Sequence, residues 1–332
     1  MSALQVARDG APPDEGRGVP SSELGPPGHV EAVADDGWRL DLLELAPPGG
    51  TRAHAVAVLG HAMMVDRRTL FAPDRPSLAA TLARTGVHTL VADLRGHGSS
   101  GPRADEGGRF DYDALVADTG CLVACARARA PGLPLFLVGN SLFGHTSLAW
   151  LGAHPDAPVA GVVGFGVCIW NGRFTASTAR YWAKRALIAA SAPVVRRLGR
   201  LPARRLGLGT VDEPAGYWQS TVTWLAEERW GAGVAGRGGR DYAAGLARVR
   251  CPVLSVVSDG DRFLAHPDDA ALFAAALPRH ELLRLGRHAR APALRGLRPG
   301  HVAMVASPRS EPLWRHVAGW IEARARDASR EP

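Results

Sequence analysis

Ser141 ends an apolar run, Leu135-Phe136-Leu137-Val138-Gly139-Asn140, and opens a stretch, Leu142-Phe143-Gly144, that continues with helix-forming residues. A strand turning tightly into a helix lifts a serine oxygen off the backbone, where a base can reach it and the helix N-terminus can stabilise negative charge. Ser141 is therefore a candidate nucleophile. The usual form of such a turn is Gly-x-Ser-x-Gly; here Gly139 fills the first glycine position and Phe143 stands in the second. Because Gly-x-Ser by itself also describes a plain helix cap, the reading depends on supporting residues. A serine nucleophile needs a base, an acid to orient the base, and two amide donors for the oxyanion, all at strand ends. The run ending at Ser258 finishes in Asp259-Gly260-Asp261-Arg262-Phe263, and Pro299-Gly300-His301 precedes the last helical stretch. Ser141, Asp261 and His301 thus stand in the order serine, acid, histidine. Asp259 competes with Asp261, since a loop shift of two residues would exchange them.

These residues need a scaffold that brings distant strand ends together. Residues 30–34 and 38–45, joined by Asp35-Asp36-Gly37, read as a β-hairpin, because Asp-Gly supplies the positive φ angles of a tight turn. Short β-branched runs follow at 55–59, 89–92, 135–138, 159–165 and 253–257, alternating with helical patterns at 78–84, 112–129 and 142–151. Such alternation implies right-handed crossovers and a mostly parallel sheet with helices on both faces, so that functional groups collect at the carboxyl ends of the strands. The interval between the runs at 159–165 and 253–257 is far too long for one crossover. Two helical patterns lie there, at 174–190 and 214–230, together with Trp170, Trp182, Trp218, Trp224 and Trp230. On the second, Trp218, Val222 and Leu225 share one face. The expected organisation is a disordered leader over 1–28, a core formed by 29–167 and 250–328, and a helical cap or lid over 168–249. The tryptophans either pack that insertion onto the sheet or shape a substrate pocket above Ser141.

Composition narrows the functional classes. The chain has 332 residues, of which 46% are hydrophobic, as in ordinary globular proteins. Its formal charge of +7 is almost entirely arginine, Lys184 being the only lysine. A chain-wide preference for arginine, with abundant Ala, Gly and Pro, reads as genome composition rather than a binding face. The pairs Arg196-Arg197 and Arg204-Arg205 lack interleaved aromatics, so no nucleic-acid partner is expected. Cys121, Cys125, Cys168 and Cys251 show no paired metal spacing and read as small buried hydrophobes. No metal and no cofactor are expected. Without a signal-length or membrane-length apolar stretch, the expectation is a soluble, cytoplasmic protein.

Two further segments sharpen the picture. Gly60-His61-Ala62-Met63 follows a strand run, and Asp93-Leu94-Arg95-Gly96-His97-Gly98-Ser99-Ser100 follows the next. With the serine turn and the Asp261 and Gly300-His301 pair, they make the chain from about residue 29 resemble the α/β-hydrolase superfamily. The first matches that family's His-Gly oxyanion loop and the second its Asp-x-Arg-Gly-x-Gly-x-Ser turn. Within the superfamily, the chain is most similar to predicted hydrolases of the serine-aminopeptidase-like and monoacylglycerol-lipase-like kind. The resemblance implies an α/β-hydrolase fold with a helical lid. It also implies Ser141 as nucleophile, His301 as general base and acid, Asp261 as orienting carboxylate, and the backbone N–H groups of Met63 and Leu142 as oxyanion donors. Phe143, Trp170 and Trp218 are the expected substrate contacts. His61, His97 and His145 read as structural, as do Asp93 and Arg95.

Two residues depart from the pattern: Ala62 replaces the second residue of His-Gly, and Phe143 must fit beneath the turn or project toward the pocket. The implied activity is cleavage of a carboxylic ester or related acyl bond through an acyl-enzyme, with an apolar or aromatic acyl substrate. Two alternatives stand beside it. The same triad could serve an acyltransferase or a biosynthetic cyclase, or the fold could persist as an inactive binding protein.

Overall fold

The computed structural model describes residues 24–231, 241–287 and 289–330. Residues 1–23 of the expected leader lie outside the described residues, and the first strand begins at Gly28. The strands are β1 (Gly28–Val33), β2 (Arg39–Leu45), β3 (Ala55–Gly60), β4 (Val87–Ala92), β5 (Leu135–Asn140), β6 (Gly161–Phe165), β7 (Arg200–Leu201), β8 (Glu213–Pro214), β9 (Val253–Ser258) and β10 (His280–Leu285). The helices are α1 (Leu78–Arg84), α2 (Tyr112–Arg129), α3 (Leu142–Ala153), α4 (Thr178–Leu198), α5 (Ala215–Glu227), α6 (Tyr242–Gly245), α7 (Pro267–Ala274), α8 (Ala303–Ala306) and α9 (Glu311–Ala328).

Eight strands form one sheet in the order β1-β2-β4-β3-β5-β6-β9-β10. The β1–β2 hairpin joins antiparallel, and every pair from β4 onward is parallel. Strand pleating divides the apolar residues between two cores. Val56, Val58, Leu135 and Leu137 point to the face covered by α2 and α3. Ala55, Ala57, Leu59, Phe136 and Val138 point to the face covered by α1 and α9. A continuous apolar run is what a strand buried on both faces requires.

The long interval after β6 holds α4, β7, β8 and α5, with a small core of its own around Ile188, Val195, Leu201, Trp218 and Leu225. Met63 and Met64, from the loop after β3, pack against that core. Cys168 is buried, whereas Cys121, Cys125 and Cys251 are only half-buried, a correction to the expectation that all four are enclosed. No helix among the described residues is long and apolar enough to cross a membrane.

Candidate active site

Ser141 stands between β5 and α3 with φ 48 and ψ −100. A non-glycine residue holds a positive φ only where its surroundings over-determine it. Those surroundings are tight: the Ser141 N–H donates to the Phe165 carbonyl at 2.9 Å, and the Asn140 side-chain amide donates to the same oxygen at 3.0 Å. A Cβ placed on Gly139 would lie 2.3 Å from the Gly144 nitrogen, so the strand and the helix can approach this closely only with glycine there. Gly144, one residue beyond the usual second-glycine position, is the residue that meets Gly139.

With Gly144 taking that role, Phe143 packs into the core. Its side chain is 1% exposed and belongs to the core under α3. The ring occupies space above Gly60, where an added Cβ would come within 2.2 Å of it. A small residue at 60 and a large one at 143 thus fill a single volume. The Phe143 N–H also donates to the His61 carbonyl at 3.3 Å, joining the serine turn to the loop after β3.

His301 Nδ1 and Asp261 Oδ2 are 2.5 Å apart. Asp261 is 3% exposed and also accepts the Ala265 N–H through both oxygens, at 3.1 and 3.2 Å. Burial by itself pushes the Asp261 carboxyl up; the charge and hydrogen bond of His301, with backbone N–H donors, outweigh it and hold the group below its ordinary value. An ionised acid on Nδ1 keeps the proton there and leaves Nε2 free as a base. Asp259 instead pairs with Arg284 at 2.8 Å, on an exposed edge. The two loops are fastened together, since the Ser258 hydroxyl donates to the Pro299 carbonyl at 2.7 Å. The His301 ring in turn lies over Gly166, the residue after Phe165, where an added Cβ would come within 3.0 Å of it. Ser141 and His301 therefore both meet the Phe165-Gly166 corner at the end of β6.

Leu142 opens α3, where the backbone N–H has no intrahelical acceptor. Met63 follows His61-Ala62, in a loop that His61 pins. His61 Nδ1 donates to the Ala62 carbonyl at 2.8 Å, and its Nε2 accepts the Leu94 N–H at 3.0 Å. Full burial, with the nearby His97 charge, pushes this imidazole down to about 3, so it stays neutral. His145 is buried too, shares a 2.8 Å hydrogen bond with the Tyr112 hydroxyl, and is pushed down to about 3 by burial and by His301. Trp170 is half-buried beside the acid loop, donating to the Leu264 carbonyl at 2.8 Å and meeting Phe263 edge-on. Trp218 is 5% exposed, with its indole N–H on Ser191 Oγ at 2.7 Å, so it packs within the insertion.

Glu213 escaped the sequence reading. It is fully buried in the insertion and accepts both the Met64 N–H, at 2.5 Å, and His97 Nε2, at 3.1 Å. Burial alone would lower His97; the Glu213 charge, its hydrogen bond and the Arg95 carbonyl overcome this and raise it. No spacing marks Glu213, because its partners lie more than a hundred residues away in sequence.

A family model described as serine aminopeptidase, S33, matches residues 75–214, a stretch that contains Ser141 and stops before Asp261 and His301. The chain has the α/β-hydrolase fold. Among solved structures, the chain is similar to an esterase from Exiguobacterium antarcticum, at 15% identity and TM-score 0.58, over 88% of this chain and 98% of that one. It is similar to a thermophilic esterase from Thermogutta terrifontis, at 14% identity and TM-score 0.56, over 90% and 99%. It also resembles Est1E from Butyrivibrio proteoclasticus, solved with ferulic acid, at 15% identity and TM-score 0.57, over 89% and 98%. Identities this low speak for the fold. Among curated proteins no sequence matches this chain.

Proposed function

We propose that this chain is a serine ester hydrolase working through an acyl-enzyme, with Ser141, His301 and Asp261 as its triad. The observation that supports it most is the 2.5 Å pair of His301 Nδ1 and Asp261, held beside the corner that also fixes the strained Ser141 turn. His301 Nε2 takes the hydroxyl proton as Ser141 Oγ bonds to the ester carbonyl carbon, and the carbonyl π electrons move onto oxygen. The Met63 and Leu142 N–H groups receive that oxyanion. Its collapse breaks the bond to the leaving alkoxide, which takes the proton from His301. Water then repeats the sequence on the acyl-enzyme and releases the acid.

The segment 168–249 acts as a cap, and its aromatic content, with half-buried Trp170 beside the acid loop, favours an apolar or aromatic acyl group. Est1E, a structure of similar fold, holds ferulic acid, an aromatic acid, which agrees with that preference. Phe143 packs in the core, so its ring offers no support for an inactive binding protein.

A fluorophosphonate probe tests the nucleophile: it labels the protein and leaves Ser141→Ala unlabelled. Label retained by Ser141→Ala, or no turnover on a panel of aryl esters, overturns the reading. With an added alcohol acceptor the free acid remains the main product, whereas a dominant transfer product would make the enzyme an acyltransferase.

A further inference from the structure

Met64 directly follows the proposed oxyanion donor and has φ 62, a left-handed conformation unusual for a side-chain-bearing residue. Its backbone is gripped on both sides by one short segment of the insertion. The Met64 N–H donates to Glu213 Oε1 at 2.5 Å, and the Met64 carbonyl accepts the Thr210 N–H at 2.7 Å and the Val211 N–H at 3.0 Å. Gly209 lies so close that a Cβ there would be 2.2 Å from the Met64 carbonyl oxygen. The Glu213 oxygen that receives Met64 also receives His97 Nε2, and His97 Nδ1 is anchored on the Arg95 carbonyl at 2.8 Å. A fully buried carboxylate therefore joins the insertion, the loop after β3 and the loop after β4 at one atom.

We propose that Glu213 is a positioning residue for the acyl-transfer site: with the backbone of residues 209–211, it fixes the Met64 peptide and so aims the Met63 N–H at the oxyanion. The inference rests on the esterase reading above and adds to it that the insertion builds part of the catalytic machinery, in addition to covering it. The Met63 N–H lies in the peptide whose Ala62 carbonyl accepts from His61 Nδ1 at 2.8 Å, and the clamp on Met64 holds the peptide that follows, so only the Met63 torsions lie between two fixed peptides. An oxyanion donor acts when negative charge develops, not when the neutral ester binds, so disturbing this clamp lowers kcat and spares KM.

The test uses three variants of the full chain. Glu213→Ala removes the acceptor; Glu213→Gln keeps an oxygen for the Met64 N–H; Gly209→Ala displaces the Met64 carbonyl without touching the buried charge pair. Each is assayed for kcat and KM on one aryl ester, for inhibition by an aryl trifluoromethyl ketone whose tetrahedral adduct carries the oxyanion, and for thermal unfolding. Glu213→Ala and Gly209→Ala are expected to lose on the order of 10²-fold in kcat, with KM within about threefold and inhibitor affinity falling in parallel. Glu213→Gln is expected to recover most of the loss. Gly209→Ala keeps the test decisive should Glu213→Ala fail to fold. Wild-type kcat in a folded Gly209→Ala, a loss expressed in KM alone, or Glu213→Gln as impaired as Glu213→Ala, overturns the inference while the esterase reading stands. Absence of Ser141-dependent labelling in the unaltered chain overturns both.

Discussion

Phe143 and Gly60 share one volume, and that pairing decides how the serine turn tolerates a bulky residue where glycine is usual. Removing the ring leaves a cavity under the nucleophile: Phe143→Ala is expected to cost about 3–5 kcal/mol of stability, measured by urea unfolding. Gly60→Ala pushes a methyl into the ring and is expected to cost about 1–3 kcal/mol. If the two residues compete for the same space, the double variant loses less than the sum of the singles, by about 0.5–3 kcal/mol. Strict additivity would show that they do not. At the same scale, Asp261→Asn leaves the shape of the site intact but removes the acceptor that fixes the His301 proton on Nδ1, so kcat is expected to fall about 10⁴-fold. The serine turn and Asp261 were legible because each follows a strand pattern, and His301 because Gly300-His301 precedes the last helical stretch. The fate of Phe143 was not, since the small residue that accommodates it, Gly60, lies on β3, about eighty residues earlier in the chain.

The insertion is attached to the core by charge as well as by packing. Lys184 of α4 is fully buried and donates to Asp269 of α7 at 3.0 Å. Asp269 has further donors, the Arg180 guanidinium at 2.8 Å and the Ala176 N–H at 2.9 Å. The consequence is an asymmetry between the partners. Asp269→Leu strands an ammonium in a dry site and is expected to cost about 3–5 kcal/mol. Lys184→Met leaves Asp269 with Arg180 and the amide and costs less. Hydrogen exchange along α4 reads the difference: faster exchange in Asp269→Leu than in Lys184→Met is the expected result, and the reverse order would place the anchor elsewhere.

Neither the anchor nor its helix α7 was visible beforehand. The sequence pattern places the first insertion helix over 174–190, short of Pro193, a residue that lacks an N–H and breaks most helices. In the structure α4 continues through Pro193 to Leu198 and ends where Gly199 N–H reaches the Val195 carbonyl at 2.8 Å. Strand β10 was missed for another reason. Its residues, His280-Glu281-Leu282-Leu283-Arg284-Leu285, are mostly exposed at the sheet edge, so the apolar run that marks the inner strands is absent. The parallel core was readable because burial on both faces forces an unmistakable composition, whereas edges and insertions obey local contacts that no period encodes.

Three buried histidines contribute to how the stability of the whole molecule responds to pH, in opposite senses. His61 and His145 are pushed from an ordinary value of 6.5 down to about 3 by burial. Between those values the unfolded chain binds protons that the folded one refuses, so stability falls as pH drops below about 6.5, by roughly 1.4 kcal/mol per pH unit for each histidine. His97 is raised by Glu213 despite its burial. Its contribution is fully present below the unfolded value and is lost as pH climbs through the raised one, so it does not oppose the acid-side decline. Urea unfolding across the acid range should therefore show stability dropping steadily from near neutrality. His145→Gln keeps a partner for the Tyr112 hydroxyl but cannot titrate, and should reduce the slope by about one histidine's share. A slope unchanged in His145→Gln would mean that His145 is protonated in the folded protein, and with it that the Tyr112 hydroxyl accepts rather than donates at Nδ1.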